Sequence, residues 1–230
     1  MHHHNLIEVP KKILSTHGKG IKIGICDTWI DTEHSVISNN VVAKSDFRNI
    51  KGVSSIHGTH ITGTILNTAS EAELYVAMIT DTSGGKYNRL EDALKWMMQF
   101  NIDVLNLSLS YRSNKALIRQ YLVDMYKKGC IIVCPSIKGQ YPCNYDFTIN
   151  VGRLYTDDKN ADYLAPDFIR SSFPNNKFGN LKGISVSTAY MTGVIACCES
   201  YKKGLDITSI TAGGYSNLKE IPSPYKTVFK

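Results

Sequence analysis

Three polar residues stand where the chain could carry out acyl transfer. Asp27 ends the apolar run Ile21–Cys26, His57 opens the small-residue stretch HGTHITGT, and Ser185 lies near the start of the segment GISVSTAYMTGVIACCE. A hydroxyl is a weak nucleophile unless a base takes its proton, and an imidazole needs an anionic partner to hold one nitrogen toward that hydroxyl. Each residue alone also has a plainer reading: Asp27 as a turn or cap, His57 as a satisfied core histidine, Ser185 as a helix cap. His57 and His60 share one helical face and could form half of a metal pair. No further ligands stand at the spacing a tetrahedral site needs, so the reading is no metal and no cofactor.

The elements around these residues belong to an α/β protein. Ile21–Cys26, Leu74–Ile79, Val104–Leu109 and Cys130–Cys134 are short apolar runs of the kind that form buried parallel strands. Between them lie helical patterns. Asn88 with Glu91 marks a helix start, followed by the stripe Leu90, Ala93, Leu94 and Met97; Leu117, Tyr121 and Met125 make a second stripe. Gly183–Glu199 is apolar or small on every side, which predicts a helix buried all round. Strands alternating with helices place ligands at the carboxyl ends of a mostly parallel sheet, where Asp27 sits. With no internal repeat, residues 1–230 read as one domain, with 1–18 as an N-terminal arm and 204–230 as a C-terminal extension.

An aspartate after a buried strand, a histidine opening a small-residue helix and a serine opening a buried helix, in that chain order, resembles the subtilisin-like serine proteases. GICDTWID, residues 24–31, is similar to that family's strand followed by Asp-Thr-Gly-Ile-Asp. HGTHITGT resembles its His-Gly-Thr-His-Val-Ala-Gly-Thr, and GISVSTA, residues 183–189, its Gly-Thr-Ser-Met-Ala-Ser-Pro. Weaker echoes are DVLNLSL (103–109), YLAP (163–166) and the segment SGGKY (83–87). The resemblance runs from about Lys19 to about Lys202. It implies a three-layer fold in compact form, with a mostly parallel central sheet and helices on both faces. It also implies Asp27, His57 and Ser185 as a catalytic triad, with His60 structural. Ser83-Gly84-Gly85 and Ser108-Leu109-Ser110 are the two edges that a substrate peptide would join through main-chain hydrogen bonds. Gly58 and Gly63 are expected where backbones approach closely, and Gly183 at the turn before Ser185.

Departures from the family pattern carry their own expectations. The family's second oxyanion donor is an asparagine after a buried strand; here that strand continues Val133-Cys134-Pro135-Ser136-Ile137-Lys138-Gly139-Gln140. Ser136, Lys138 or Gln140 substitutes, or the enzyme is slow, or it is not an enzyme, since losing one such donor costs about a hundredfold or more. By similarity of Tyr141-Pro142 to the family, Gln140 is placed near the floor of the main specificity pocket. Trp29 replaces a glycine beside the site, either narrowing the groove or packing. The family's calcium loop is expected to be missing, because residues 65–70 lead almost directly to the next strand.

Composition narrows the classes. The chain is 43% hydrophobic and 20% charged, sufficient for one globular core. Its formal charge of +6 is scattered in lysine pairs without a basic run, which argues against nucleic acid as a partner. No apolar stretch reaches the roughly eighteen residues of a membrane span, and the N-terminus lacks a signal-peptide core, so a cytoplasmic monomer is expected. The six cysteines lack CxxC spacing and read as reduced thiols. The leading function is a serine endopeptidase acting on a peptide or protein, with a dedicated leader or precursor as the expected substrate type. The alternatives are a pseudoprotease that binds peptides without cutting, and a transpeptidase or macrocyclase in which an amine resolves the acyl-enzyme.

Overall fold

The computed structural model describes residues 9–48, 55–81 and 89–212. The four apolar runs become β1 (Lys22–Asp27), β3 (Glu73–Met78), β4 (Val104–Asn106) and β5 (Ile131–Pro135), joined in one sheet by β2 (Val41–Asp46), β6 (Thr148–Arg153) and β7 (Tyr163–Ala165). The seven strands run in the order β2-β3-β1-β4-β5-β6-β7, and every neighbouring pair is parallel. The strand alternation sorts side chains to two faces. Ile23, Ile25, Leu74 and Val76 join one core cluster, whereas Cys26, Tyr75 and Ala77 join the other.

Helices cover both faces, so the architecture is three-layer α/β. α2 (His57–Leu66) and α5 (Ile184–Ala212) pack on the first cluster, α3 (Leu90–Met97) and α4 (Ala116–Lys127) on the second. α1 (Lys11–Leu14) lies against α5. α2, α3 and α4 have no side-chain hydrogen bond at their N-caps. A cap contributes about 1 kcal/mol, a fully buried leucine or isoleucine about 1.5–3, so packing holds these helices in place. Every residue of α2 after His57 is buried, and α5 is buried from Val186 to Cys198 except for the partly exposed Tyr190.

The α3 stripe Leu90, Ala93, Leu94 and Met97 is buried as the sequence predicts. In α4 the buried stripe is Ile118, Leu122 and Met125, while Leu117 is 47% exposed. Two overlapping stripes both satisfy the helical period there, and the position of the sheet decides between them. β4 ends at Asn106, earlier than the apolar run, because the backbone turns tightly where the Leu109 N–H donates to the Leu107 carbonyl at 2.7 Å. An antiparallel hairpin, β8 (Phe168–Phe173) and β9 (Lys177–Lys182), leads directly into α5. Its half-exposed, polar strands lack the apolar run that marks the central sheet.

From β1 the chain builds β2 and β3 on one side, then crosses to β4 on the other. The loops leaving β1 and β4 therefore diverge, opening a crevice at their carboxyl ends. Asp27 is the last residue of β1, and Ser108 follows β4 by two residues. No helix among the described residues is long and apolar enough to cross a membrane.

Candidate active site

The crevice is a cleft of about 480 Å³ that receives residues from six segments. Asp27 and Thr28 come from the end of β1, His57 from the start of α2, Thr80 from beyond β3 and Ser108 from beyond β4; Ile137 follows β5, and Ser185 opens α5. The structure thus brings Asp27, His57 and Ser185 together from positions up to 158 residues apart.

Asp27 is held rigidly. Its Oδ1 accepts the His57 Nδ1–H at 2.7 Å and the Thr28 backbone N–H at 2.6 Å. The Thr28 hydroxyl in turn accepts the Gly58 N–H at 2.9 Å, which pins the first turn of α2 to the end of β1. A side chain on Gly58 would place its Cβ 2.8 Å from the carbonyl oxygens of Thr28 and Trp29, so this contact requires glycine. Gly63 faces Ser171 and Ser172 of β8 in the same manner. Gly183 differs from expectation: it has open space around it and no positive φ, so the turn before Ser185 makes no special demand there.

With Nδ1–H donated to Asp27, the His57 Nε2 carries the free lone pair. Burial pushes the imidazole toward lower pKa, but the Asp27 charge and hydrogen bond outweigh it and raise the group above its ordinary value. His60 is the opposite case. It is fully buried, its Nε2 pairs with the Ile169 carbonyl at 3.0 Å, and the Thr64 hydroxyl meets its Nδ1 at 3.3 Å. Burial lowers its pKa, and its contacts tie α2 to β8.

Ser185 sits in the first turn of α5, locked to the β4 loop by reciprocal bonds. Its Oγ donates to the Ser108 carbonyl at 3.2 Å, and the Ser108 Oγ donates to the Ser185 carbonyl at 3.1 Å. Asn106 Nδ2 supports Ser108 Oγ at 3.1 Å, and the Thr192 hydroxyl reaches Asn106 Oδ1 at 2.9 Å from about two α5 turns further along. Among the described residues no hydrogen bond joins His57 to Ser185. Catalytic hydrogen bonds often close only with substrate present.

The three oxyanion candidates fall elsewhere. Ser136 and Lys138 line a neighbouring cavity, and Gln140 Oε1 accepts the Ser110 hydroxyl at 2.7 Å. The residues that this loop presents to the catalytic cleft are Pro135 and Ile137. The Ile137 N–H is directed to Cys143 Sγ at 3.4 Å. At the start of α5 the Val186 and Ser187 N–H groups donate to the Gly183 carbonyl, which leaves the Ile184 and Ser185 N–H groups without a backbone partner among the described residues, at the positive end of the helix dipole. Ser108, Leu109 and Ser110 all line the cleft, and beyond them Tyr111 and Tyr141 exchange backbone hydrogen bonds at 2.7 and 2.8 Å. Ser83, Gly84 and Gly85, like Asn88, lie outside the described residues. Trp29 is half-buried against the first core cluster and is not among the cleft-lining residues. All six cysteines are free, and among the described residues no three His, Cys, Asp or Glu side chains are placed to hold a metal.

Sequence reasoning missed Thr28 as the staple between the aspartate and the histidine helix, Asn106 and Thr192 as the support under Ser108, and Ile137 as the residue facing the cleft. Thr28 and Asn106 lay inside the quoted motifs, so their signal was present; Ile137 had none.

A parallel α/β/α sheet with an aspartate–histidine pair at its switch point and a serine opening a buried helix, in that order along the chain, defines a subtilisin-like serine peptidase. The comparisons with known proteins agree: the chain belongs to the subtilase family, peptidase S8, whose model matches residues 18–164. It is a serine endopeptidase of that family. It is similar to the major intracellular serine protease of Bacillus subtilis, 25% identical over 224 residues, covering 81% of this chain and 70% of the relative. Subtilisin DY of Bacillus licheniformis is 26% identical over 211 residues, covering 78% and 76%. M-protease of Shouchella clausii is 28% identical over 209 residues, covering 78% and 54%. The family match ends before Ser185, so the role of that residue rests on its geometry and motif.

Proposed function

We propose that Ser185 is the nucleophile of peptide-bond hydrolysis, with His57 as its base and Asp27 as the anion that orients and stabilises the imidazole. The observation that carries this reading is the 2.7 Å bond from His57 Nδ1 to Asp27 Oδ1 in the cleft that Ser185 also lines. His57 Nε2 takes the Ser185 proton as Oγ attacks the scissile carbonyl. The resulting oxyanion meets the N–H groups at the start of α5, and the protonated His57 then delivers its proton to the departing amine. Water attacks the acyl-enzyme by the same route in reverse.

The substrate is an extended polypeptide lying along Ser108–Ser110, whose Ser110 backbone N–H has no partner among the described residues. Surface loops set substrate choice in peptidases, and a dedicated precursor or leader peptide is the substrate type this reading favours. The test is a serine-directed fluorophosphonate followed by intact mass and peptide mapping. One adduct on Ser185, lost in Ser185→Ala, supports the nucleophile assignment. An unlabelled wild-type protein across neutral pH points instead to a peptide binder.

A further inference from the structure

The neighbouring cavity of about 720 Å³ is unused by the mechanism above. It touches the catalytic cleft through two shared residues, Ile137 and Ile184, and Ile184 immediately precedes the nucleophile. The catalytic cleft contains the Ser108–Ser110 edge on which the acyl half of a substrate lies; the second cavity contains none of that edge. On the reading of Ser185 as nucleophile, a chain crossing the scissile bond away from that edge passes over Ile184 into this second space.

Away from the Asp27–His57 pair the catalytic cleft is lined by hydroxyls, a thiol and apolar groups, whereas the walls of this cavity carry charge. Lys138 projects from the β5 loop, and Arg153 ends β6. The turn after Arg153 is fixed by the Thr156 hydroxyl, which donates to the Arg153 carbonyl at 2.6 Å. Asp158 Oδ1 accepts the Asn160 N–H at 3.0 Å, which orients its carboxylate in that turn and leaves its charge in place. Lys138 and Arg153 form no ion pair among the described residues, so both cations remain available to an acidic ligand, beside the carboxylates of Asp157 and Asp158.

We infer that this cavity is the leaving-group subsite and that it selects substrates with an acidic side chain in the first two positions after the cleaved bond, recognised by Lys138 and Arg153. This inference rests on the triad reading and narrows its substrate class. Charges at such an open site act through partly screened attraction, worth about fivefold in rate each.

The test uses peptides identical except for Glu, Ala or Lys at those two positions, and reads the ratio of kcat/KM between the Glu and Lys members. The expected ratio is about tenfold or more for the wild-type chain, near one for the double variant Lys138→Ala/Arg153→Ala, and inverted for Arg153→Glu. Asp157→Asn should raise it. Because a ratio is insensitive to the fraction of folded enzyme, a poorly folding variant does not obscure the result. A wild-type ratio near one, or one unchanged in the double variant while Ser185 still takes the fluorophosphonate, overturns this inference alone. Failure of Ser185 to label overturns the triad reading and this inference with it.

Discussion

Replacing Asp27 by Asn tests the charge at the heart of the site while leaving its shape. The Asp27 side chain is 3% exposed, and only its Oδ1 is engaged, by His57 and the Thr28 N–H; Oδ2 is buried with no hydrogen-bond partner among the described residues. An asparagine therefore settles with its oxygen toward the two donors and its amide at the vacant side. That preserves the His57 tautomer but leaves a buried NH₂ unpaired, destabilising the fold by about 1–3 kcal/mol. What is lost is attraction to the imidazolium formed in the transition state. With charge centres about 4 Å apart and an effective dielectric near 20, this is about 4 kcal/mol. The expected fall in kcat/KM is then about a thousandfold, and about ten-thousandfold if the amide flips and misaligns the ring.

The pH profile gives a second reading of the same substitution. His57 must be neutral to act as base, and Asp27 raises its pKa above the ordinary value of about 6.5. The acid limb of wild-type kcat/KM should therefore lie above pH ~6.5. In Asp27→Asn burial acts without its counterweight, so the limb should move to lower pH. Steady-state kinetics on a chromogenic peptide from pH 5 to 9, with circular dichroism to confirm folding, measures both quantities. A folded variant within tenfold of wild-type activity, or one whose acid limb stays in place, would refute the ion pair as the functional unit.

Ile137→Asn places a side-chain donor where the loop now faces the cleft with a hydrocarbon, and kcat should rise by about tenfold to a hundredfold; an unchanged kcat would mean that this position does not reach the oxyanion. Gly58→Ala forces a methyl against two backbone carbonyls, with an expected cost of about 1–3 kcal/mol, read as a Tm lowered by about 3–10 °C in calorimetry. The two active-region histidines should act oppositely on stability. The pKa of His60 is depressed in the fold, so its contribution is present above pH ~6.5 and declines as pH falls below it, and His60→Gln should flatten that part of a stability–pH curve. His57, with a raised pKa, contributes stability below pH ~6.5 that fades as pH climbs through its folded value. Denaturant melts across pH 5–8 on the two single variants separate these contributions, and identical profiles would contradict both shifts.

The sequence determined the features that depend on local pattern. Apolar runs became parallel strands, because a strand covered on both faces has no polar side to show. The small and apolar composition of residues 183–199 marked a helix that is buried almost throughout, Tyr190 and the two ends being partly exposed. Gly58 marked a backbone contact that no larger residue allows. The order of Asp27, His57 and Ser185 pointed to the acyl-transfer chemistry proposed for them. Tertiary structure decided what those patterns leave degenerate. In α4 two stripes fit the helical repeat equally, and only the sheet beneath selected Ile118 and Leu122. After β5, a strand and turn of known sequence could point Ser136, Ile137 or Lys138 into the cleft, and the path of the chain chose Ile137. The reciprocal bonds between Ser108 and Ser185 join residues 77 apart. Such contacts depend on how α5 docks beside β4, and docking is set by the summed packing of both faces, which no local run of residues encodes.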